Sequence, residues 1–164
     1  MKRIADFHKV SLIQFVSDSA HMTGAEDAYI NVSVPKRATS GSAGYDFFTP
    51  YDVEIKAGES LKIPTGIRAR IDEGWVLKIY PRSGLGYRYR LQLDNTVGII
   101  DSDYFYSDNE GHIQVKVTND NREGKTLVLK AGQAFCQGVF TEYGITTDDD
   151  VTAKRNGGFG STGN

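Results

Sequence analysis

The chain has one cysteine, Cys136, among 164 residues, which excludes an internal disulfide framework and any zinc site built from several cysteines. A reducing compartment suits such a sequence, and a cytoplasmic protein is expected. Histidine is scarce too: His8, His21 and His112 show no metal-ligand spacing and read as surface or loop residues. Neither sign of charge dominates. Nineteen Lys and Arg against twenty-one Asp and Glu give a net −2, so no bulk basic field draws in nucleic acid or an anionic membrane. No apolar run reaches transmembrane length. The nearest, Val10 to Val16, follows Lys9 and is broken by Gln14, so an edge strand or short packing segment is expected rather than a signal peptide. Prolines number only four and hydrophobic residues make up 39%, enough to bury a core as a single domain over 1–164.

Glycine, by contrast, is plentiful at eighteen residues, and it punctuates short alternating runs. Ile67 to Ile71 and Trp75 to Tyr80 alternate with period two, the signature of half-buried strands. Further strands are expected at Tyr51 to Lys56, Ile113 to Thr118, Thr126 to Leu129 and Ala134 to Phe140, separated by turns such as Asp72-Glu73-Gly74 and Lys130-Ala131-Gly132. Nothing sustains a 3.6-residue period over three turns. The spacing predicts an all-β barrel or sandwich with at most one short helix, just after Arg82. Residues 1–37 read as an N-terminal strand and connector, the connector at Ser17 to Glu26, and 146–164 as a linker and C-terminal arm.

Three segments carry chemistry. Pro81-Arg82-Ser83-Gly84-Leu85-Gly86 offers a guanidinium fork, a hydroxyl and glycines that let phosphate oxygens approach the backbone. A strand-ending turn with an exposed arginine has the same composition, and the segment alone does not choose. Asn95-Thr96-Val97-Gly98-Ile99-Ile100-Asp101-Ser102-Asp103-Tyr104 ends in two alternating carboxylates that can orient and deprotonate water, or simply form a polar turn. Gly157-Gly158-Phe159-Gly160-Ser161-Thr162-Gly163 contains G-x-G-x-x-G, but no helix can follow before Asn164, so the dinucleotide-binding reading fails. A terminal arm able to wrap phosphates while Phe159 stacks on a base remains, beside the plainer reading of a disordered tail.

Taken in order with Gly41-Ser42-Ala43-Gly44-Tyr45-Asp46-Phe47 and Gly132 to Phe140, these segments resemble the five-motif pattern of the trimeric all-β deoxyuridine triphosphatases (dUTPases), from about Ala38 onward. The resemblance implies a distorted jelly-roll or β-barrel with a flexible C-terminal arm. It also implies Mg2+-assisted hydrolysis of dUTP to dUMP and pyrophosphate, which keeps uracil out of DNA and supplies dUMP for dTMP synthesis. By similarity Asp101 is the general base, Tyr104 packs on the deoxyribose, and Asn95 with the turn to Gly98 reads uracil. Arg82, Ser83 and Gly84 match the phosphate contacts, while Asp46 and Gln137 sit where relatives support the phosphates or the waters of the magnesium ion. Phe159 would cap the base, with Gly160, Ser161 and Thr162 on the terminal phosphates. A homotrimer with sites shared between subunits follows, with no stable nucleic-acid or membrane binding.

Three departures stand out. Lys154-Arg155-Asn156 replaces the usual Arg-Gly-x before the last motif, so the terminal-phosphate cation is either Lys154 or Arg155. The link from Phe105 to Glu110 is longer than is typical, and Phe135-Cys136 is bulkier, for which a repacked core is expected. The alternatives are a dCTP deaminase of related fold and a regulatory binding protein on the same scaffold.

Overall fold

The computed structural model describes residues 1–153 and 155–157. Two larger sheets carry the chain. In the first, β1 (Ala5–Lys9) pairs with β5 (Ser60–Ile71), β5 with β9 (Ile113–Asn119), and β9 with β7 (Leu91–Leu93), all antiparallel. The second runs in the order β2 (Lys36–Arg37), β3 (Tyr45–Phe48), β11 (Ala134–Glu142), β6 (Trp75–Pro81) and β8 (Gly98–Ile100). A two-stranded ribbon joins β4 (Val53–Ile55) to β10 (Leu127–Leu129). Phe47, Phe135, Ile63, Leu77 and Ile79 are fully buried in the core. The alternating residues of β9, inward at Ile113, Val115 and Val117, show why the period-two runs become strands: each places one apolar face on this core. Among the described residues the strands form three sheets rather than one closed barrel.

Helix content exceeds the expectation of at most one. The helix after Arg82 is present as α3 (Ser83–Tyr89), but α1 (Leu12–Asp18) and α2 (Ala25–Ile30) occupy the region read as strand and connector. Helices of seven and six residues are too short to show a 3.6-residue period, and tertiary packing decides them. Phe15 of α1 is fully buried, and Ser11 caps the helix by accepting the Gln14 N–H at 3.1 Å. The edge strand is real but lies upstream, at β1.

His112 corrects a second expectation. His8 and His21 are exposed, but His112 is wholly buried. It fills the irregularity where the β5–β9 register shifts between Pro64 and Ile67. There its Nε2 accepts the Gly66 N–H at 2.8 Å, while the Thr65 hydroxyl donates to the Ile113 carbonyl at 2.6 Å. Gly66 has φ +73°, and a Cβ there would lie 2.6 Å from Val32 Cγ2, so this position requires glycine.

Candidate functional site

The strands β7 and β8, with the turn between them, form one wall of a cavity of about 480 Å³; the start of β9 forms another. Asn95, Gly98 and Tyr104, three of the residues singled out in the sequence, all line it. The turn is tight. Thr96 N–H donates to the Leu93 carbonyl at 2.9 Å and Val97 N–H to that of Asn95 at 2.7 Å. Thr96 itself is held at φ +69°, a left-handed conformation that costs a β-branched residue about 1–3 kcal/mol. Gly98 serves a different purpose: a Cβ would lie 3.0 Å from Ile79 Cβ, so a larger residue would push β8 and β6 apart by a few tenths of an ångström.

Beyond β8 the chain leaves the sheet and Asp101 immediately precedes a 3-10 turn, Ser102–Tyr106, without capping it through its side chain. This turn points the Asp101 and Asp103 carboxylates outward, at 42% and 54% exposure, where water can reach them. It also folds Tyr104 inward against the cavity. Tyr104 Oη donates to the His112 carbonyl at 2.9 Å and accepts from Asn109 Nδ2 at 2.8 Å. Burial raises the pKa of this phenol, so it stays a neutral donor. On the opposite wall, hydrogen bonds from Lys116 and Thr118 hold the Asp94 carboxyl below its ordinary value.

Arg155 closes the mouth. Its Nη2 bonds Asp101 Oδ2 and its Nε reaches Asp103 Oδ1 at 2.9 Å, so one guanidinium clamps both carboxylates. Arg155 thus stands beside the predicted base. Lys154, Phe159, Gly160, Ser161 and Thr162 lie outside the described residues.

The phosphate-type segment is elsewhere. Arg82 and Gly84 line a second, more polar cavity of about 400 Å³ together with Arg88 and Gln133. Here β6 ends at Pro81 and α3 begins at Ser83, so the first-turn N–H groups of Ser83 and Gly84 lack helical acceptors. Arg82 is steadied through its backbone, which donates to the Phe135 carbonyl at 3.2 Å, and through Asp46, whose Oδ1 lies 3.4 Å from its Nε. Asp46 and Gln137 are register partners across β3 and β11, and Gln137 Nε2 donates to the Pro81 carbonyl at 3.3 Å. The predicted residues therefore fall into two groups: Asn95, Gly98, Tyr104 and Arg155 line one cavity, with Asp101 paired to Arg155, and Arg82 and Gly84 line the other, with Ser83 between them in sequence, Asp46 beside Arg82 and Gln137 opposite Asp46.

Sequence reasoning missed Gln114, which lines the first cavity with a buried Oε1 lacking any hydrogen-bond partner among the described residues. It also missed Asp18 and His112 behind Tyr104. No spacing links residues 94 positions apart, so only the fold could join them. Cys136 is fully buried and burial pushes its thiol up, which makes it a core residue rather than a nucleophile.

Comparison with known proteins bears on the family and the fold. Residues 31–163 match the family model described as dUTPase. The deoxyuridine 5'-triphosphate nucleotidohydrolase of Lactococcus lactis is 41% identical over 135 residues, covering 80% of this chain and 89% of the relative. The crystal structure of dUTPase from Streptococcus mutans superposes with a TM-score of 0.66 at 34% identity, covering 86% of this chain and 98% of that one. A mutant dUTPase from phage phi11 of S. aureus, whose structure concerns the coordination of a structural Mg(II) ion, shares the fold at 18% identity, with a TM-score of 0.65 over 92% of this chain and 98% of that one. With the match running through both cavities and most of the chain, the protein belongs to the dUTPase family.

Proposed function

We propose that this chain is a dUTP diphosphatase that converts dUTP to dUMP and pyrophosphate. The observation that carries the reading is the first cavity, where the Asn95–Gly98 turn and the Tyr104 ring meet with Asp101 exposed at the mouth. The uracil ring enters against the turn, whose backbone supplies donors and acceptors in fixed positions. The deoxyribose packs on Tyr104, leaving no room for a ribose 2'-hydroxyl. A carboxylate at Asp101 orients a water for in-line attack on the α-phosphorus and takes its proton as the new P–O bond forms. The bond from the α-phosphorus to the bridging oxygen breaks, and pyrophosphate leaves.

Among the described residues the first cavity is lined by two cations, Arg155 and Lys116, and Lys116 is paired with Asp94 at 2.8 Å, so the phosphate chain needs more. Arg82 and the Ser83 and Gly84 N–H groups are suited to it but line a different cavity of the same chain. A substrate that uses both sets is accordingly read as lying between two copies. Large apolar side chains lie exposed near the two cavities, Ile99 at 53%, Val128 at 54% and Tyr87 at 93%, as expected of surfaces that pack together. These features support a homotrimer with shared sites, the third copy delivering Phe159, Gly160, Ser161 and Thr162 over the nucleotide.

Mg2+ fits this arrangement as an ion held chiefly by the substrate's phosphates. Among the described residues no group of three or more His, Cys, Asp or Glu is placed to ligate a metal, whereas Asp46 and Gln137 sit side by side near Arg82 as acceptors for its bound waters. When bound, the ion neutralises phosphate charge; orienting the water remains the work of Asp101. No described helix is long and apolar enough to cross a membrane, and the lone buried thiol suits the cytoplasm.

The test is release of pyrophosphate from dUTP, dCTP, dTTP and UTP in parallel, with Asp101→Asn as control. Turnover of dUTP alone, lost in the Asn variant, supports the reading. Ammonia from dCTP would establish a deaminase instead, and silence on every nucleotide a binding protein.

A further inference from the structure

Residues 11–18 precede the segment that the family model matches, yet they grip the loop that carries Tyr104 at two points. At the start of α1, the Ser11 N–H and hydroxyl both donate to the Glu110 carboxylate, at 2.8 and 2.6 Å. At its end, Asp18 Oδ2 lies 2.6 Å from His112 Nδ1. Gly66 can only donate, so its N–H fixes His112 Nε2 as an acceptor. The ring proton is thereby assigned to Nδ1, and His112 donates to Asp18. Gln14, one turn back on α1, donates from Nε2 to the same Asp18 oxygen at 2.8 Å.

The long link from Tyr104 ends at these two grips. Its backbone is forced: Glu110 and Gly111 both take left-handed conformations, at φ +57° and +66°. Arg68 stacks on Phe105 with its guanidinium carbon 3.6 Å from the ring centroid, and lies 3.7 Å from Glu110. The loop's inner partners converge on one atom, the Tyr104 hydroxyl. It donates to the carbonyl of His112 and accepts from Asn109, whose own Oδ1 accepts the Gly111 N–H at 3.2 Å. A shift of His112 moves the carbonyl that holds Tyr104, and a shift of Glu110 moves Asn109 beside it.

We propose that α1 is a splint for the sugar-binding tyrosine, with Asp18 and His112 as positioning residues that set selectivity for deoxyribose over ribose. This rests on the reading of Tyr104 as the residue that packs on the sugar. The alternative is a purely structural helix, which would contribute stability without touching selectivity. The two differ because the tyrosine ring is excluded from a ribose only while its distance from the sugar is fixed to a fraction of an ångström. A loosened ring swings back and admits UTP.

The experiment compares Asp18→Ala, Asp18→Asn, Glu110→Ala, Tyr104→Phe and Tyr104→Ala in the full-length protein, reading kcat and KM for dUTP and UTP, and Tm. Asp18→Ala strips the acceptor from a buried His112 N–H. It is expected to lower the dUTP/UTP ratio of kcat/KM about tenfold, mainly through KM, with kcat for dUTP within about threefold. Asp18→Asn keeps an acceptor and should restore most of the ratio. Glu110→Ala cuts the exposed grip and spares the buried one. It should shift the ratio the same way by a smaller factor, and it decides the matter if Asp18→Ala does not fold. Tyr104→Phe, which keeps the ring and cuts its tether, should resemble Asp18→Ala. If Asp18→Ala and Glu110→Ala lower only Tm while Tyr104→Ala collapses the ratio, the splint is refuted and the sugar reading stands. If Tyr104→Ala also leaves the ratio unchanged, the sugar reading itself is wrong and the splint falls with it.

Discussion

Arg155 and Asp101 are ion-paired, with the same guanidinium holding Asp103 at 2.9 Å. The side chain of Arg155 is only 19% exposed, so it has left water to make this contact. It neutralises the carboxylate proposed above as the base. The phosphates of dUTP offer the same fork a competing set of oxygens, and exchange of one for the other would free Asp101 at the moment substrate arrives.

Arg155→Lys therefore tests geometry apart from charge. A lysine ammonium is a point charge that cannot span two carboxylates or two phosphate oxygens in one plane. The expected result is a fall in kcat/KM for dUTP of about tenfold, and of about a hundredfold for Arg155→Ala, by steady-state kinetics. Equal activity of the Arg155→Lys variant and the parent would mean that the fork is not used.

Two glycines should respond oppositely to alanine. Gly111 combines φ +66° with a Cβ position 2.6 Å from the Tyr104 carbonyl oxygen, a backbone atom that cannot step aside. Gly111→Ala should lose about 2 kcal/mol or more in urea unfolding. Gly86 lies within α3 with nothing inside 4 Å of its would-be Cβ, so Gly86→Ala should gain about 0.5–1 kcal/mol from helix propensity alone.

Acid should weaken the grips on the Tyr104 loop. Burial raises the Asp18 carboxyl, but the hydrogen bonds from His112 and Gln14 outweigh it and leave it below 3.8. Glu110 is likewise held below 4.5, burial being overcome by Ser11. Groups depressed on folding contribute stability that is complete above their unfolded values and lost as pH falls through the folded ones. Tm should thus drop from about pH 5 downward, more steeply in the parent than in Asp18→Asn. Parallel slopes for the two proteins would show that Asp18 carries none of this dependence.

A chain ending at Asn156 keeps every strand described above. It should unfold at the parent temperature yet lose about a hundredfold or more in activity, if the terminal motif closes over the nucleotide. Unchanged turnover would remove the arm from the mechanism.

The strands that position the site were legible as short apolar runs bounded by turns: β9 alternates buried and less buried residues from Ile113 to Asn119, while β6 and β11 also bury neighbours, Val76–Leu77 and Phe135–Cys136. Asn95, Gly98 and Tyr104 were legible as a contiguous motif, and they do meet at one cavity. What supports them was not. The Ser11 and Gln14 pair matches a helix-start signal, but the apolar residues around it read equally well as strand. His112 has no local sign of burial, since its partners come from α1, 94 residues earlier, and from the bulge in β5, 46 residues earlier. The separation of Asp101 from Arg82 was also invisible, because adjacency in a motif list says nothing about which cavity a residue lines.

The central claim, that Asp101 aims a water at the α-phosphorus of dUTP, is tested most directly by a single turnover in 18O-labelled water with mass analysis of both products. Label in dUMP, with none in pyrophosphate and no turnover by Asp101→Asn, is the result predicted. Label in pyrophosphate would place the attack at the β-phosphorus and contradict the account.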